Sequence, residues 1–166
     1  MSDIKIHVFH TGEVCVAPDL PFGGDHCNAI KASDVFGKKE DRLWLLVSAY
    51  LIEHPKGKFL VAADEVKFAG KLTNKVRYYK GWWDDINLTE FEWNDKEGPF
   101  NKSYDLLNDG SIELINIPGH ADGLFAVKVK SEEGKFVLLF SDGGYAKKSW
   151  EEMITSGIAA DKEKQK

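Results

Sequence analysis

The stretch PGHADG at residues 118–123 and the stretch SDGG at residues 141–144 decide the fold. Each follows a segment with the pattern of a β-strand, at residues 111–117 and 136–140, and residues 124–130 between them form a third such segment. In three successive antiparallel strands the first and third run the same way, so their carboxyl ends lie at one edge of the sheet. His120 and Asp142 are therefore predicted to emerge at that edge.

An imidazole and a carboxylate at one sheet edge suit a first-row metal ion, and each would approach zinc within roughly 2.0–2.2 Å. The glycines beside His120 and Asp142 allow the backbone to turn sharply and leave room for a ligand. A histidine beside a glycine in a turn also often has a structural role, and Asp142 would equally accept hydrogen bonds from the amides of its own turn. Spacing alone leaves both interpretations open.

Three glycine-containing turns are predicted to close hairpins: PKG at 55–57, NDG at 108–110 and EEG at 132–134. The first would join residues 47–53 to residues 58–61. The segment 136–140 is apolar without alternation, which predicts burial on both faces, whereas residues 124–130 alternate as a half-buried strand does.

Two helices are predicted beside these strands. The first spans residues 64–72, with its apolar residues on one side (Val66, Ala69 and Leu72). The second follows a capping box formed by Ser149 and Glu152, and its apolar residues share a face: Trp150, Met153, Ile154 and Ile158. Helices flanking a sheet that has a doubly buried strand indicate a layered α/β or α+β sandwich.

Length and composition narrow the class of protein. The chain of 166 residues is predicted to form a single domain, and its net charge of −5 without a basic stripe argues against nucleic acid as a partner. No apolar run approaches the ~20 residues of a membrane span, and no signal peptide is visible, so a cytoplasmic location is expected. Cys15 and Cys27 do not form a C-x-x-C motif, so neither a zinc knuckle nor a disulfide framework is suggested.

Four motifs in a fixed order resemble the metallo-β-lactamase fold, and within it they are most similar to N-acyl homoserine lactonases. They are HTGEV at 10–14, DLPFGG at 19–24, PGH at 118–120 and SDGGY at 141–145. The resemblance covers residues 4 to about 61 and about 63 to 160. It implies an αββα sandwich that holds two zinc ions at one edge, with His120 as the ligand after the P-G-H turn and Asp142 as the carboxylate that bridges both metals.

The resemblance also implies an activity. Such a hydrolase opens a lactone ring with a metal-bound hydroxide, while a metal polarises the carbonyl oxygen. The substrate would be a small N-acyl lactone, and Leu20 and Phe22 in the loop at 18–28 would approach its acyl chain. The alternative for these two residues is an ordinary connection whose apolar side chains tuck into the core.

The departure from the family is as informative as the match. The family signature H-x-H-x-D-H is absent, since no H-x-H occurs anywhere in the sequence. An internal deletion near residues 61–64 is predicted, and the C-terminus is expected to be truncated before the last histidine ligand of the family. His26 would substitute for a missing ligand only if its loop folded over the same edge.

Catalytic zinc usually keeps three protein ligands and a water molecule, so His120 and Asp142 are too few. The chain is therefore predicted to be an impaired or inactive lactonase-type hydrolase. The alternatives are a non-catalytic remnant or binding module of the same scaffold, or another hydrolase of this fold, of thioesterase or β-lactamase type.

An aromatic concentration around Trp82 and Trp93 would be a binding surface or simply core packing. Loss of a strand–helix block would expose apolar sheet, so self-association is expected.

Overall fold

The computed structural model describes residues 5–53, 60–71 and 88–166. The strands in these parts of the chain are β1 (Lys5–Val16), β2 (Leu43–Glu53), β3 (Leu60–Ala62), β4 (Thr89–Phe91), β5 (Ser103–Asp105), β6 (Ile112–Asn116), β7 (Phe125–Lys130) and β8 (Phe136–Leu139). The α-helices are α1 (Asp19–Phe22), α2 (Ala29–Ser33), α3 (Ala63–Ala69), α4 (Lys147–Glu151) and α5 (Lys162–Gln165). Two 3₁₀ turns, Lys39–Asp41 and Ser141–Gly143, complete the set.

The C-terminal half is built on a four-stranded antiparallel sheet in the order β5-β6-β7-β8. Both predicted hairpins in this region are confirmed, because β5 pairs with β6 and β7 pairs with β8. The carboxylate of Asp105 shapes the first turn by accepting hydrogen bonds from the amides of Leu107 (3.2 Å) and Gly110 (2.9 Å). Since β6 and β8 both lie antiparallel to β7, they run in the same direction, as predicted.

The N-terminal half contributes a long antiparallel ribbon. β1 pairs with β2 from Lys5–Glu53 to Val16–Leu43, with a bulge between His10 and Gly12. The hairpin predicted for residues 47–53 and 58–61 is wrong, because β2 pairs with β1 and β3 pairs in parallel with β4. β3 passes directly into α3, and a strand that is followed by a helix favours a parallel partner reached by a crossover. The PKG turn at 55–57 lies outside the described residues.

The core lies where the ribbon, the β3–β4 pair and the four-stranded sheet meet. Its buried cluster consists of Ala62, Phe91, Ile112, Leu114 and Val129, and Ile6 and Ile52 of the ribbon pack against it. Phe91 is central, with its ring centroid 4.8 Å from that of Tyr104 and 5.7 Å from that of Phe125. Sheet packed on sheet with helices beside it is the layered mixed sandwich that the sequence predicts.

Strand β8 is not buried on both faces, so that prediction is wrong. Phe136 is 60% exposed and Val137 is 51% exposed. β8 is the last strand of the sheet, and its apolar run therefore forms an edge rather than a centre. A continuous apolar run does not distinguish these two positions.

The helix predicted over residues 64–72 is confirmed as α3, but its end and its buried face differ from the prediction. Helix α3 ends at Ala69 and buries Ala63 and Phe68, whereas Val66 is 37% exposed. The capping box at 149–152 is wrong, because α4 already begins at Lys147 and the hydroxyl of Ser149 accepts a hydrogen bond from the amide of Tyr145 at 3.3 Å.

The apolar face predicted for the second helix is also wrong, because most of its residues lie beyond the end of α4. Helix α4 ends at Glu151, and Met153 lies beyond it in the left-handed region (φ 51°) with 60% of its surface exposed. No helix in residues 5–53, 60–71 and 88–166 is long and apolar enough to cross a membrane.

Candidate functional site at the sheet edge

The PGH loop follows β6, and residues 160–161 near the end of the chain form hydrogen bonds with it. Pro118 and Gly119 are buried and His120 is half-buried. The amide of Asp161 donates to the carbonyl of Gly119 (2.9 Å), and the amide of Ala160 donates to the carbonyl of His120 (3.3 Å). The backbone on both sides of the imidazole is therefore fixed by the segment that leads into α5.

Gly119 is required by this geometry. Its φ of +145° lies in a region that is nearly exclusive to glycine, and an added Cβ would lie 2.7 Å from the backbone of Gln165. The glycine therefore both permits the turn and allows α5 to approach the loop closely.

The SDGG loop follows β8 as a 3₁₀ turn. Ser141 has a φ of +48°, and the amide of Gly143 donates to the carbonyl of Phe140 at 3.1 Å. Asp142 is exposed in this turn. Its carboxylate is thus reachable from solvent, while the main chain closes the turn.

The structure brings the two loops together at one edge of the sheet. A Cβ on Gly143 would lie 2.7 Å from the Cδ1 atom of Ile117, the last residue before the PGH loop. The SDGG loop therefore packs against the residue that leads into the PGH loop, so both loops lie at the edge that the strand directions predict. Whether His120 and Asp142 bind a metal ion stays a prediction.

The loop that carries Leu20 and Phe22 lies near the second of these loops. Both side chains are half-buried in α1, whereas Pro21 between them is fully buried. The Nζ atom of Lys148 lies 5.7 Å from the centroid of the Phe22 ring, so α1 lies beside α4, the helix that follows Asp142. The carbonyl of Leu20 accepts from the amide of Gly157 at 2.8 Å. The role of Leu20 and Phe22 in substrate binding stays a prediction.

His26 is exposed in a loop that the C-terminal segment holds in place. The carboxylate of its neighbour Asp25 lies 2.7 Å from Lys166, and this ion pair holds the pKa of Asp25 below its usual value. Within the described parts of the chain, no three His, Cys, Asp or Glu side chains form a group that would hold a metal ion, so His26 does not complete one.

The His, Cys, Asp and Glu side chains of the described residues therefore do not provide the ligands of a catalytic zinc ion. Such an ion needs three protein ligands to fix its geometry and to compete with water. One imidazole and one carboxylate fall short of this number.

A cavity of about 490 Å³ adjoins the two loops. Its walls are mostly apolar and come from the ribbon and the four-stranded sheet: Tyr50 and Ile52 from the ribbon, and Phe125, Val127 and Leu139 from β7 and β8. Ala121 and Ser141 line the end nearest the loops. A mostly apolar cavity with a few polar groups is the usual form of a small-molecule site.

Glu65 is a residue at this site that the sequence analysis missed. Its carboxylate accepts a hydrogen bond from the amide of Gly123 at 2.9 Å and lines the cavity. This bond ties the first turn of α3 to the end of the PGHADG stretch. The contact joins residues that are 58 positions apart, and local sequence carries no signal for it.

A second cavity of about 410 Å³ lies beside Pro118 and is lined by charged groups that include Asp64 and Lys102. The Nε1 atom of Trp93 donates to Asp64 at 2.9 Å, and Lys102 lies 3.6 Å from the same carboxylate. The indole hydrogen bond, followed by the charge of Lys102, lowers the pKa of Asp64 below its ordinary value.

Comparison with solved structures defines the class of fold. An N-acyl homoserine lactone hydrolase, solved with the product N-hexanoyl-L-homoserine at its catalytic metal centre, superposes with a TM-score of 0.68 over 96% of this chain and 83% of that chain, at 14% identity. A quorum-quenching N-acyl homoserine lactone lactonase gives a TM-score of 0.68 at 16% identity, over 96% and 82% of the two chains. The chain therefore has the metallo-β-lactamase fold of these lactonases.

Sequence comparison points to the same group. The chain is similar to the N-acyl homoserine lactonase AttM of Rhizobium radiobacter and to that of Agrobacterium fabrum, with 32% identity over 76 residues in each case. The aligned part is 46% of this chain and 29% of each relative, so the chain matches less than a third of their length. No family model matches the chain.

Proposed function

We propose that this chain is a scaffold of the N-acyl homoserine lactonase type, a metal-dependent hydrolase, and that the 166-residue chain is impaired or inactive in lactone opening. The observation that carries the proposal is the joint position of the PGH and SDGG loops at one sheet edge, where Gly143 packs against Ile117. The lactonase fold supports the class of reaction. The shortage of ligands in the described residues supports the loss of activity.

In this proposal His120 and Asp142 correspond to two of the ligands that hold zinc in a complete lactonase, and by themselves they do not retain the metal. Leu20 and Phe22 face the acyl side of a small N-acyl lactone, and the protein acts in the cytoplasm. The apolar walls of the 490 Å³ cavity, with Tyr50, Phe125 and Leu139, suit an acyl chain better than a charged substrate. The predicted deletion near residues 61–64 would account for the missing H-x-H-x-D-H ligands.

Hydrolysis assays test this function. Chain whose intact mass has been verified would be supplied with zinc and given an acyl homoserine lactone, a thioester and a β-lactam. We expect the wild-type rate with each substrate to equal that of the His120→Ala variant. Lactone turnover that falls at least about 100-fold in His120→Ala would contradict the proposed inactivity, since even a residue that only supports a metal ligand typically carries a loss of about 10–100-fold.

The second candidate function is a non-catalytic binding module. Its supporting observation is the apolar surface of the ribbon, where Trp44 is 64% exposed and Leu46 is 65% exposed. Large apolar side chains grouped on a surface are typical of interaction sites. Of the aromatic concentration around Trp82 and Trp93, Trp82 lies outside the described residues, whereas Trp93 packs against Phe91 at the core.

A further inference from the structure

The second cavity, of about 410 Å³, has no part in the proposed function. All of its lining residues belong to the described parts of the chain, and none of them lines the 490 Å³ cavity or is a candidate metal ligand. Different residues of the PGHADG stretch line the two cavities: Pro118 and Asp122 line the smaller one, and Ala121 and Gly123 line the larger one. The volume of the smaller cavity lies in the usual range of small-molecule sites.

Asn116 is a buried polar residue in the wall of this cavity. It is 2% exposed, and its Nδ2 atom donates to the carbonyl of Leu124 at 3.4 Å. This bond fixes the orientation of the amide, because an oxygen in the place of Nδ2 would face another acceptor. The side chain makes no other hydrogen bond within the described residues, so its Oδ1 atom accepts none there. Since buried acceptors are usually satisfied, the wall offers Oδ1 to an N–H or O–H group of a ligand.

Positive charge dominates the lining of the cavity. Four lysines line it: Lys67, Lys71, Lys102 and Lys164. The carboxylates that line it are Asp64 and Asp122, so the lining has an excess of two positive charges. Asp64 accepts from the indole of Trp93 and lies 3.6 Å from Lys102, and Asp122 lies 3.5 Å from Lys71. Both negative charges are therefore compensated within the site.

The lysines keep hydrogen-bond donors for a ligand. Each has a carboxylate partner at 3.3–3.6 Å, but the partners of Lys67 and Lys164 are Glu92 and Asp161, which do not line the cavity. These distances exceed the ~2.7–2.9 Å of a charge-assisted hydrogen bond. The lysine side chains are 49–68% exposed, and such ion pairs contribute little. A ligand therefore has little to displace.

Aromatic surface forms the remaining wall. Phe68 is buried, and the Nζ atom of Lys71 lies 5.0 Å from the centroid of its ring. Phe100 is 37% exposed, so part of its ring is open to a ligand, and Pro118 beside the cavity is buried. A planar ring is the ligand group that packs best against such a wall.

We propose that this cavity binds a small aromatic phosphate monoester whose ring has an N–H or O–H donor. The ring packs against Phe100, its donor binds the Oδ1 atom of Asn116, and the lysines of the rim hold the phosphate. A phosphate monoester has a charge of about −1.5 to −2 near pH 7, which matches the excess of two positive charges. A carboxylate would neutralise only half of it. Because the ligand is small and the lysines are exposed, we expect a dissociation constant on the order of 0.1 mM.

Isothermal titration calorimetry with 4-aminophenyl phosphate as the probe tests the proposal. Three related compounds each lack one of the recognised groups: phenyl phosphate lacks the donor, inorganic phosphate lacks the ring, and aniline lacks the phosphate. We expect each of them to bind at least about threefold more weakly than the probe, since one hydrogen bond or ring contact typically accounts for a factor of that size.

The test variant is Lys71→Gln, and the matched control is Lys38→Gln. Lys38 is also an exposed lysine, 3.7 Å from Glu40, but it does not line the cavity. We expect the dissociation constant of the probe to rise at least about fivefold in Lys71→Gln, because a charge-assisted contact is lost, and to change less than about twofold in the control. Phe100→Ala should weaken binding of the probe and leave that of inorganic phosphate unchanged.

Three results would overturn the proposal. One is the lack of saturable binding at about 5 mM probe, well above the expected dissociation constant. Another is an equal loss in Lys71→Gln and Lys38→Gln, which would show only a general attraction of phosphate to surface lysines. The third is equal affinity for the probe and phenyl phosphate, because Asn116 would then contribute nothing.

If circular dichroism shows that Lys71→Gln does not fold, Lys102→Gln replaces it, with the same expected loss. The titrations contain no zinc and no lactone, so their result does not depend on the proposed function.

Discussion

At the residue scale, the position of His120 depends on the glycine before it. Gly119 adopts a φ of +145° and lies against the backbone of Gln165, so the loop has room for α5 only without a side chain at this position. The sequence has a glycine beside each candidate ligand, and these glycines predict a sharp turn at both places. The second reason for Gly119, its contact with a segment more than 40 residues later, is not visible in the sequence.

Gly119→Ala should therefore destabilise the protein more than an ordinary glycine substitution. We expect a loss of about 3 kcal/mol in the free energy of unfolding, because backbone strain and overpacking against Gln165 add. Gly110→Ala is the matched control, since Gly110 also has a positive φ (+70°) but faces open space, and it should cost only about 1 kcal/mol. Urea denaturation measures both values. Equal losses would show that the contact with α5 contributes nothing.

Asp64 gives a prediction of pH dependence. Its pKa lies below the ordinary value of 3.8, chiefly because the Trp93 indole donates to the carboxylate. A carboxyl group whose pKa is lowered by folding stabilises the protein above its unfolded pKa, and this contribution is lost as the pH falls through the folded pKa.

Trp93→Phe should consequently cost more stability at pH 6.5 than near pH 3. We expect the pH-dependent part of the loss to be about 1 kcal/mol, as for a hydrogen bond to a partly exposed charged group. Urea denaturation at both pH values measures it. In an Asp64→Asn background the same substitution should cost the same at both pH values, and a pH dependence that persists there would contradict the assignment to Asp64.

At the element scale, local patterns predict pairing well only where the turn is short. The hairpins at 108–110 and 132–134 are confirmed because their turn residues and both strands lie within one short stretch. The β1–β2 and β3–β4 pairs join distant segments, and nothing local specifies the partner. The capping box failed for a different reason. Ser149 has the right spacing to Glu152, but its hydroxyl binds the amide of Tyr145 and the helix begins two residues earlier.

Helix α5 packs against the PGH loop at Gly119. The N-cap of this helix, Asp161, can be tested by substitution. The carboxylate of Asp161 accepts from the amides of Glu163 (3.1 Å) and Lys164 (3.2 Å), while its own amide binds Gly119. Asp161→Ala should lower the free energy of unfolding, as the loss of an N-cap does. Asp161→Asn should be nearly neutral, because asparagine also caps. Thermal denaturation compares them, and equal losses in both variants would contradict the capping role.

At the scale of the whole molecule, the resemblance of four short motifs predicts the fold, and solved lactonases confirm it at a TM-score of 0.68. The edge position of the two loops follows from strand direction alone. The hydrogen bond between Glu65 and Gly123 and the contact of α5 with Gly119 do not follow from strand direction. Both arise from packing between segments that are distant in the sequence. The sequence shows that the H-x-H motif is missing, and within the described residues no third ligand joins His120 and Asp142.

The metal content of the purified chain tests the incomplete site most directly. After incubation with zinc and desalting, we expect elemental analysis to find well below one zinc ion per 166-residue chain, with no difference between wild type and the Asp142→Ala variant. Two ligands do not compete with bulk water, which is the reason for this expectation. Retention of two zinc ions per wild-type chain, lost in Asp142→Ala, would contradict the account.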